Sequence, residues 1–89
     1  MKEVFQKNLN AEVQVLFEPA LEMAAQIEEL KELDDKGLAF SVLLSTHQKE
    51  SYYSQGTYEV KFPSGEVVFI FMVPIGPKGD KMLYEAVFN

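Results

Sequence analysis

Apolar and polar residues alternate with a period of two along most of the chain, which is the pattern of half-buried β-strands. The alternation is clearest at residues 11–17, 39–46, 56–62 and 82–88. Residues 66–73 instead form a continuous run of β-branched and aromatic residues, which is typical of a central strand covered on both faces. Residues 1–9 predict a short helix or an ordered arm.

Residues 21–33 allow two interpretations. They are rich in strong helix formers, and some of their apolar residues recur at helical spacing, so propensity alone favours a helix. Apolar residues also occupy positions 21, 23, 25 and 27, which is the alternation of a strand. A strand here needs a bulge near Glu28–Glu29 to return Leu30 or Leu33 to the core.

Turn signals separate these segments at Asp34–Gly37 and Pro63–Gly65, and a loop is predicted over Pro74–Asp80. Sequential hairpins in a chain of 89 residues predict one mainly-β domain over residues 1–89. We expect a small antiparallel meander of about six strands that curls into a barrel or sandwich, with a short N-terminal helix or arm. The alternative is an α+β fold in which residues 21–33 are helical.

Composition limits the chemistry and the location of the protein. The chain has no cysteine, which excludes disulfides, thiolate metal sites and cysteine nucleophiles. The first residues show no apolar leader, and the longest apolar run, residues 67–75, is far too short to span a bilayer. We therefore expect a cytoplasmic protein that does not bind membranes.

The net charge of −6 is concentrated in residues 18–35, which hold seven acids and one lysine. An acidic balance without any arginine predicts no nucleic-acid binding, because phosphate contacts need clustered cations. The acidic pairs Glu28–Glu29 and Asp34–Asp35 predict a solvated edge, or else a surface that attracts a cationic partner. They lack the spacing of a calcium-binding loop.

No group of residues forms a recognisable catalytic, metal-binding or cofactor-binding motif, so we predict a non-enzymatic protein without cofactors. His47 is the only histidine, and a metal site there would need carboxylates alone to complete it. Ser45, Thr46 and His47 are adjacent, but adjacency in sequence does not supply the spatial convergence that a nucleophile and its base require. Tyr52 and Tyr53, in a polar loop, provide contact area for a partner or fold back over an open end of the barrel.

Four segments resemble a family of small bacterial proteins of unknown function that carries a C-terminal PxGP…YEAVFN signature. They are Phe40–Leu44, Gln55–Tyr58, Phe71–Pro77 and Tyr84–Asn89. The family also shows an alternating apolar strand that matches Met23, Ala25, Ile27 and Leu33, so the resemblance favours a strand over residues 21–33. Where the family often has an arginine-glycine step, this chain has Ser45–His47, so the resemblance does not extend to any role of that loop.

Members of this family tend to occur near genes for phage-tail-like proteins, so the resemblance implies a structural or assembly role and no known active site. We therefore expect a module that binds another protein, or a second copy of the same chain. The alternatives are an acidic inhibitor or decoy that binds a basic partner, and a small-molecule-binding barrel. The C-terminal segment, Met82–Phe88, is predicted to be an integral strand with its alternate residues in the core.

Overall fold

The computed structural model describes residues 1–89 and confirms a mainly-β fold, with 58% of residues in strands and 7% in one helix. The helix α1 (Lys2–Lys7) precedes six antiparallel strands. The strands are β1 (Glu12–Glu18), β2 (Leu21–Glu32), β3 (Phe40–Thr46), β4 (Gly56–Lys61), β5 (Val67–Lys78) and β6 (Lys81–Phe88). The number of strands and the short N-terminal helix agree with the sequence-based prediction.

Strand β2 forms in the segment whose composition favours a helix. It pairs with β1 over Leu21–Gln26 and with β3 over Ala25–Glu32, so it has a hydrogen-bonded neighbour along its whole length. These ladders satisfy the backbone groups of β2, and helix propensity amounts to only a few tenths of a kcal/mol per residue. Tertiary pairing therefore decides the conformation, and the predicted strand is confirmed.

The predicted bulge lies where the alternation of β2 breaks. Ile27 and Glu29 face successive residues of β3, which leaves Glu28 as the extra residue. The bulge returns Leu30 to the edge of the core. Leu33, which the family pattern placed on the apolar face of this strand, is instead 46% exposed because β2 ends at Glu32.

The strands close into a barrel in the order β1-β2-β3-β6-β5-β4. The two long strands each change neighbours along their length. Strand β5 pairs with β4 over Val67–Met72 and with β6 over Val73–Lys78, and β2 is shared between β1 and β3 in the same way. In this ring of six, β2 and β5 are three strands apart in either direction, so they lie on opposite sides of the barrel.

Strand β5 is longer than predicted, because it continues through the expected loop at Pro74–Asp80. Only Gly79 and Asp80 form the turn, and Gly79 has the positive φ of 63° that suits the first position of a two-residue hairpin. Prolines are tolerated in this half of β5 because it pairs with β6 alone, and the register shifts between Pro74 and Gly76.

The prediction that residues 66–73 are covered on both faces is wrong. Ile70 and Met72 point into the barrel and are buried, whereas Val67, Phe69 and Phe71 alternate with them on the outer face and are exposed. A closed barrel of 89 residues has only one core, so no second layer of this chain covers the outside of β5.

The core contains 17 buried residues from α1, from the inner faces of the strands and from the β4–β5 turn. Phe5 of α1 plugs one end of the barrel. It is fully buried, and its ring lies 5.4 Å from the ring of Phe62 and 5.7 Å from that of Phe88. The helix is therefore part of the core rather than a loose arm.

Strand β6 is integral, as the alternation predicted. It pairs with β3 over Met82–Phe88, and Met82, Tyr84 and Ala86 are buried. Phe88 is half-buried and stacks on Phe40 with 4.6 Å between ring centroids. The C-terminal residues thus hold the plugged end of the barrel together.

Candidate functional site

The loop of residues 47–55 covers the end of the barrel away from α1, and Tyr53 is its main contact. The Tyr53 ring stacks on Phe17, with centroids 4.5 Å apart and planes 8° apart. Its backbone N–H donates to the Tyr84 hydroxyl at 3.0 Å, and its own hydroxyl donates to Glu18 at 3.1 Å. Desolvation raises the pKa of the Tyr53 hydroxyl, and the Glu18 carboxylate acts in the same direction. Tyr53 therefore folds back over the barrel end.

Tyr84 anchors the same loop from inside the barrel. Its fully buried hydroxyl donates to the side-chain oxygen of Gln48 at 2.7 Å while it accepts the Tyr53 N–H. The Gln48 oxygen also accepts the Thr46 hydroxyl at 2.6 Å. Burial raises the pKa of Tyr84, so this hydroxyl stays neutral and available as a donor. The network is fully paired, which suits a structural role.

Tyr52 differs from its neighbour, because its side chain is 63% exposed. It lies beside a shallow groove lined by Pro74, Ile75, Pro77 and Met82. The two interpretations of the tyrosine pair are thus divided between the two residues. Tyr53 packs over the barrel, and only Tyr52 remains accessible to a partner.

Glu28, the extra residue of the β2 bulge, forms a small polar cluster. Its carboxylate accepts a hydrogen bond from the Ser45 hydroxyl at 2.5 Å, and the Lys81 ammonium lies 3.5 Å away. The Ser45 hydrogen bond holds the pKa of Glu28 below its ordinary value of 4.5. Lys81 acts in the same direction, and partial desolvation opposes both. A carboxylate that is ionised and already paired is a weak proton acceptor, so the cluster suits stabilisation of the bulge.

The other candidate acids do not join this cluster. Glu29 is exposed on β2, and Asp35 is exposed in the following turn. The Asp34 carboxylate accepts the backbone N–H groups of Leu38 at 2.9 Å and of Ala39 at 3.2 Å. Asp34 therefore stabilises the turn between β2 and β3.

No hydrogen bond joins the side chains of Ser45, Thr46 and His47, although Ser45 and His47 line the same shallow groove. The Ser45 hydroxyl is bound to Glu28, the Thr46 hydroxyl is bound to Gln48, and His47 is exposed. The structure contains no group of three or more histidine, cysteine, aspartate or glutamate residues placed to hold a metal ion.

The outer face of β5 is the feature that sequence reasoning missed. We call Val67, Phe69, Phe71 and Val73 the β5 face. Phe69 is 65% exposed and Phe71 52%, which is unusual for two phenylalanines on one strand. The sequence does contain an indication of this face. A strand with one face in the core needs apolar residues only at alternate positions, whereas residues 67–75 are apolar without a break.

Polar residues border the β5 face. On β4, Lys61 pairs with Val67, Glu59 with Phe69 and Thr57 with Phe71, and on β6 Glu85 pairs with Val73. Between Phe69 and β1 lies a shallow groove whose lining is partly apolar, with Leu16 and Pro19, and partly polar, with Glu18 and Glu59. An apolar centre within a polar rim is the usual anatomy of a protein-binding surface.

Negative charge is concentrated on the side of the barrel opposite the β5 face. Residues 11–36, which form β1, β2 and the turn after β2, hold eight acids and two lysines. The rest of the chain holds six acids and six lysines, so the whole net charge of −6 lies in the first group. Because β2 and β5 lie on opposite sides, the molecule has one acidic side and one neutral, partly apolar side.

The fold and the site define a small antiparallel β-barrel domain with one end plugged by a helix, the other closed by a tyrosine-bearing loop, and an exposed apolar strand face. The chain belongs to the DUF6916 family, a domain of unknown function whose model matches residues 2–88. No curated protein and no solved structure matches the chain. None of its helices has the length and apolarity needed to cross a membrane.

Proposed function

We propose that the protein is a non-enzymatic structural or assembly module that binds another protein through the β5 face. The observation that carries the proposal is the exposure of Phe69 and Phe71 in a strand whose residues 67–77 carry no charge. Covering one phenylalanine side chain fully is worth about 1.5–3 kcal/mol relative to leaving it in water. Two adjacent ones therefore provide a substantial driving force for association.

Three of the polar side chains support the same proposal, because they already have structural partners. Glu28 is paired with Ser45, Asp34 holds a turn, and the buried hydroxyl of Tyr84 holds the 47–55 loop. Catalysis needs a nucleophile or base that is free to meet a substrate. The apolar β5 face, by contrast, has no partner within the chain.

The biological setting of this module is part of the proposal. The likeness to proteins whose genes lie near phage-tail-like genes supports a role in assembling such a structure. A chain without cysteine suits the reducing cytoplasm, where such assemblies are built. Tyr52, exposed beside its proline-lined groove, offers a secondary contact.

A second candidate function rests on the segregated charge. An acidic inhibitor or decoy would present β2 and the following turn, including Glu29 and Asp35, to a basic partner. Binding through that side would weaken steeply with added salt, whereas binding through the apolar β5 face would change little. A small-molecule-binding barrel is less well supported, because core side chains fill the interior and Phe5 and Tyr53 cover its two ends.

Site-specific photo-crosslinking in the native host tests the proposal. Phe69 is replaced by the photoreactive residue benzoylphenylalanine, which keeps the aromatic character of the position. The matched control places the same residue at Lys31, which is exposed on the acidic side. We expect a protein adduct of discrete mass from position 69 and none from position 31. Adducts only from position 31 favour the acidic decoy, and no adduct from either position contradicts protein binding.

A further inference from the structure

We infer that the partner on the β5 face is a second copy of this chain, packed across a two-fold axis near Ile70. This inference deepens the proposed function and rests on it. Three observations carry it: the spacing of the apolar residues, the distribution of charge, and the extent of the face.

The spacing of the β5 face is the same in both directions along the strand. Val67, Phe69, Phe71 and Val73 are symmetric about Ile70, with the aromatic residues inside and the valines outside. A two-fold interface uses one patch on both subunits, so the patch must complement itself. Antiparallel packing of two β5 strands about Ile70 places Phe69 of each copy against Phe71 of the other. It also places each Val67 against a Val73.

Charge favours the same arrangement. Two copies of a protein with a net charge of −6 repel one another, and the repulsion is strongest where their acidic sides approach. The β5 face lies on the side of the barrel opposite β2, and Val67–Pro77 contains no charged residue. Packing through β5 therefore brings two neutral sides together and keeps the acidic sides at the two far ends of the dimer.

The extent of the face sets the strength of the association. Its four residues span about 20 Å of strand, and each exposed phenylalanine offers roughly 100–130 Å². The two phenylalanines together offer roughly 200–260 Å², well below the about 800 Å² that each partner covers in a stable interface, so this contact belongs to the weak, transient class. We therefore expect a weak, reversible dimer that forms at about 10–100 µM.

Sedimentation velocity of the purified full chain tests the inference. The wild type is measured from about 5 µM to 1 mM, where the sedimenting mass should rise from 10.1 kDa toward twice that value. The double variant Phe69→Ser/Phe71→Ser should keep the monomer mass throughout. The matched control, Leu33→Ser/Leu38→Ser, removes two exposed leucines near the acidic turn and should dimerise like the wild type. A wild type that stays monomeric at 1 mM, or a control that loses dimerisation equally, overturns the inference.

A charge-exchange pair tests the position of the axis. Phe69→Lys and Phe71→Glu should each be monomeric alone, because each places a charge against a phenylalanine. Mixed together, they should form a heterodimer in which the new charges face each other across the axis. A mixture of Phe69→Lys with Phe69→Glu should not recover. Recovery in that second mixture instead would show that position 69 meets itself, which contradicts an axis at Ile70.

The two proposals can fail separately. If crosslinks from position 69 join the chain to a different protein and the wild type stays monomeric, the β5 face binds a partner but not a second copy. If neither position 69 crosslinks nor the wild type self-associates, the proposed function fails as well.

Discussion

Replacing Tyr84 with phenylalanine removes a single oxygen from the centre of the hydrogen-bond network that closes the barrel end. The Tyr84 hydroxyl donates to Gln48 at 2.7 Å and accepts the backbone N–H of Tyr53 at 3.0 Å. Gln48 keeps its bond from Thr46, so the larger penalty comes from the Tyr53 N–H, which loses its acceptor. A fully buried donor left unpaired costs about 1–3 kcal/mol; the Tyr53 N–H is partly buried and so costs less than the upper figure, and the lost bond to Gln48 adds up to about 1 kcal/mol. We therefore expect a loss of about 1.5–3 kcal/mol, a large share of the 5–10 kcal/mol typical of a small domain.

Urea denaturation at pH 7 measures this loss, and amide hydrogen exchange at Tyr53 locates it. Tyr58→Phe is the matched control, because the Tyr58 hydroxyl donates to the Ser54 carbonyl in an exposed position and its removal should cost below about 1 kcal/mol. The Tyr53 amide should exchange faster in Tyr84→Phe than in the control. Equal stability of the two variants, together with an unchanged Tyr53 exchange rate, would refute the structural role assigned to the network.

Three further predictions concern the C-terminal strand, the bulge and metal binding. Phe88→Ala should lower the free energy of unfolding by about 2–4 kcal/mol in urea melts, because the half-buried ring stacks on Phe40. Removing residues 84–89 should unfold the chain. A truncated protein with an unchanged melting temperature would show instead that this segment is a detachable tail. Folding lowers the pKa of Glu28, so its ionised carboxylate stabilises the folded protein. This contribution is complete above the unfolded pKa of 4.5 and is lost as the pH falls through the lower pKa of the folded state. Glu28→Gln should therefore cost about 1 kcal/mol at pH 7 and progressively less as the pH falls below 4.5, and a pH-independent difference would contradict the ionised pair with Ser45. Calorimetric titration with Zn²⁺ or Ca²⁺ should show no tight site, because no three histidine, aspartate or glutamate side chains are placed to hold a metal ion, and one saturable site would disprove this.

The sequence was most informative where local pattern and tertiary structure agree. The alternation in β1, β3, β4 and β6 predicted the strands and their core residues, although Ser41 and Ser45 on the outer face of β3 are buried as well. For β2, propensity and alternation disagreed, and pairing with two neighbouring strands decided the outcome. The bulge at Glu28 could be expected because the alternation has to shift before Leu30 can reach the core.

The candidate site was less predictable, because it depends on contacts between distant parts of the chain. Nothing local distinguishes Tyr52 from Tyr53, and only the positions of Phe17 and Tyr84 assign the packing role to Tyr53. The pairing of Ser45 with Glu28 likewise requires the register between β2 and β3.

Strand β5 shows a different limit of sequence reasoning. Its apolar run indicated that both faces are buried, but the outer face is exposed, because a barrel formed by one chain covers only the inner face of this strand. On the inner face, Ile70 and Met72 are buried and Val68 is partly buried against the core. The outer face of β5 has the composition of a buried surface but is exposed, and it is therefore the surface that we propose binds a partner.

A crosslinking scan around the barrel tests most directly the central claim that the β5 face is a protein-binding surface. Benzoylphenylalanine is placed in turn at Val67, Phe69 and Phe71 on β5 and at Glu29 and Lys31 on β2, and the adducts formed in the native host are quantified. The account predicts that adduct yield is highest at positions 69 and 71, lower at position 67, and at background on β2. A yield that is uniform around the barrel, or that is highest on β2, would contradict it.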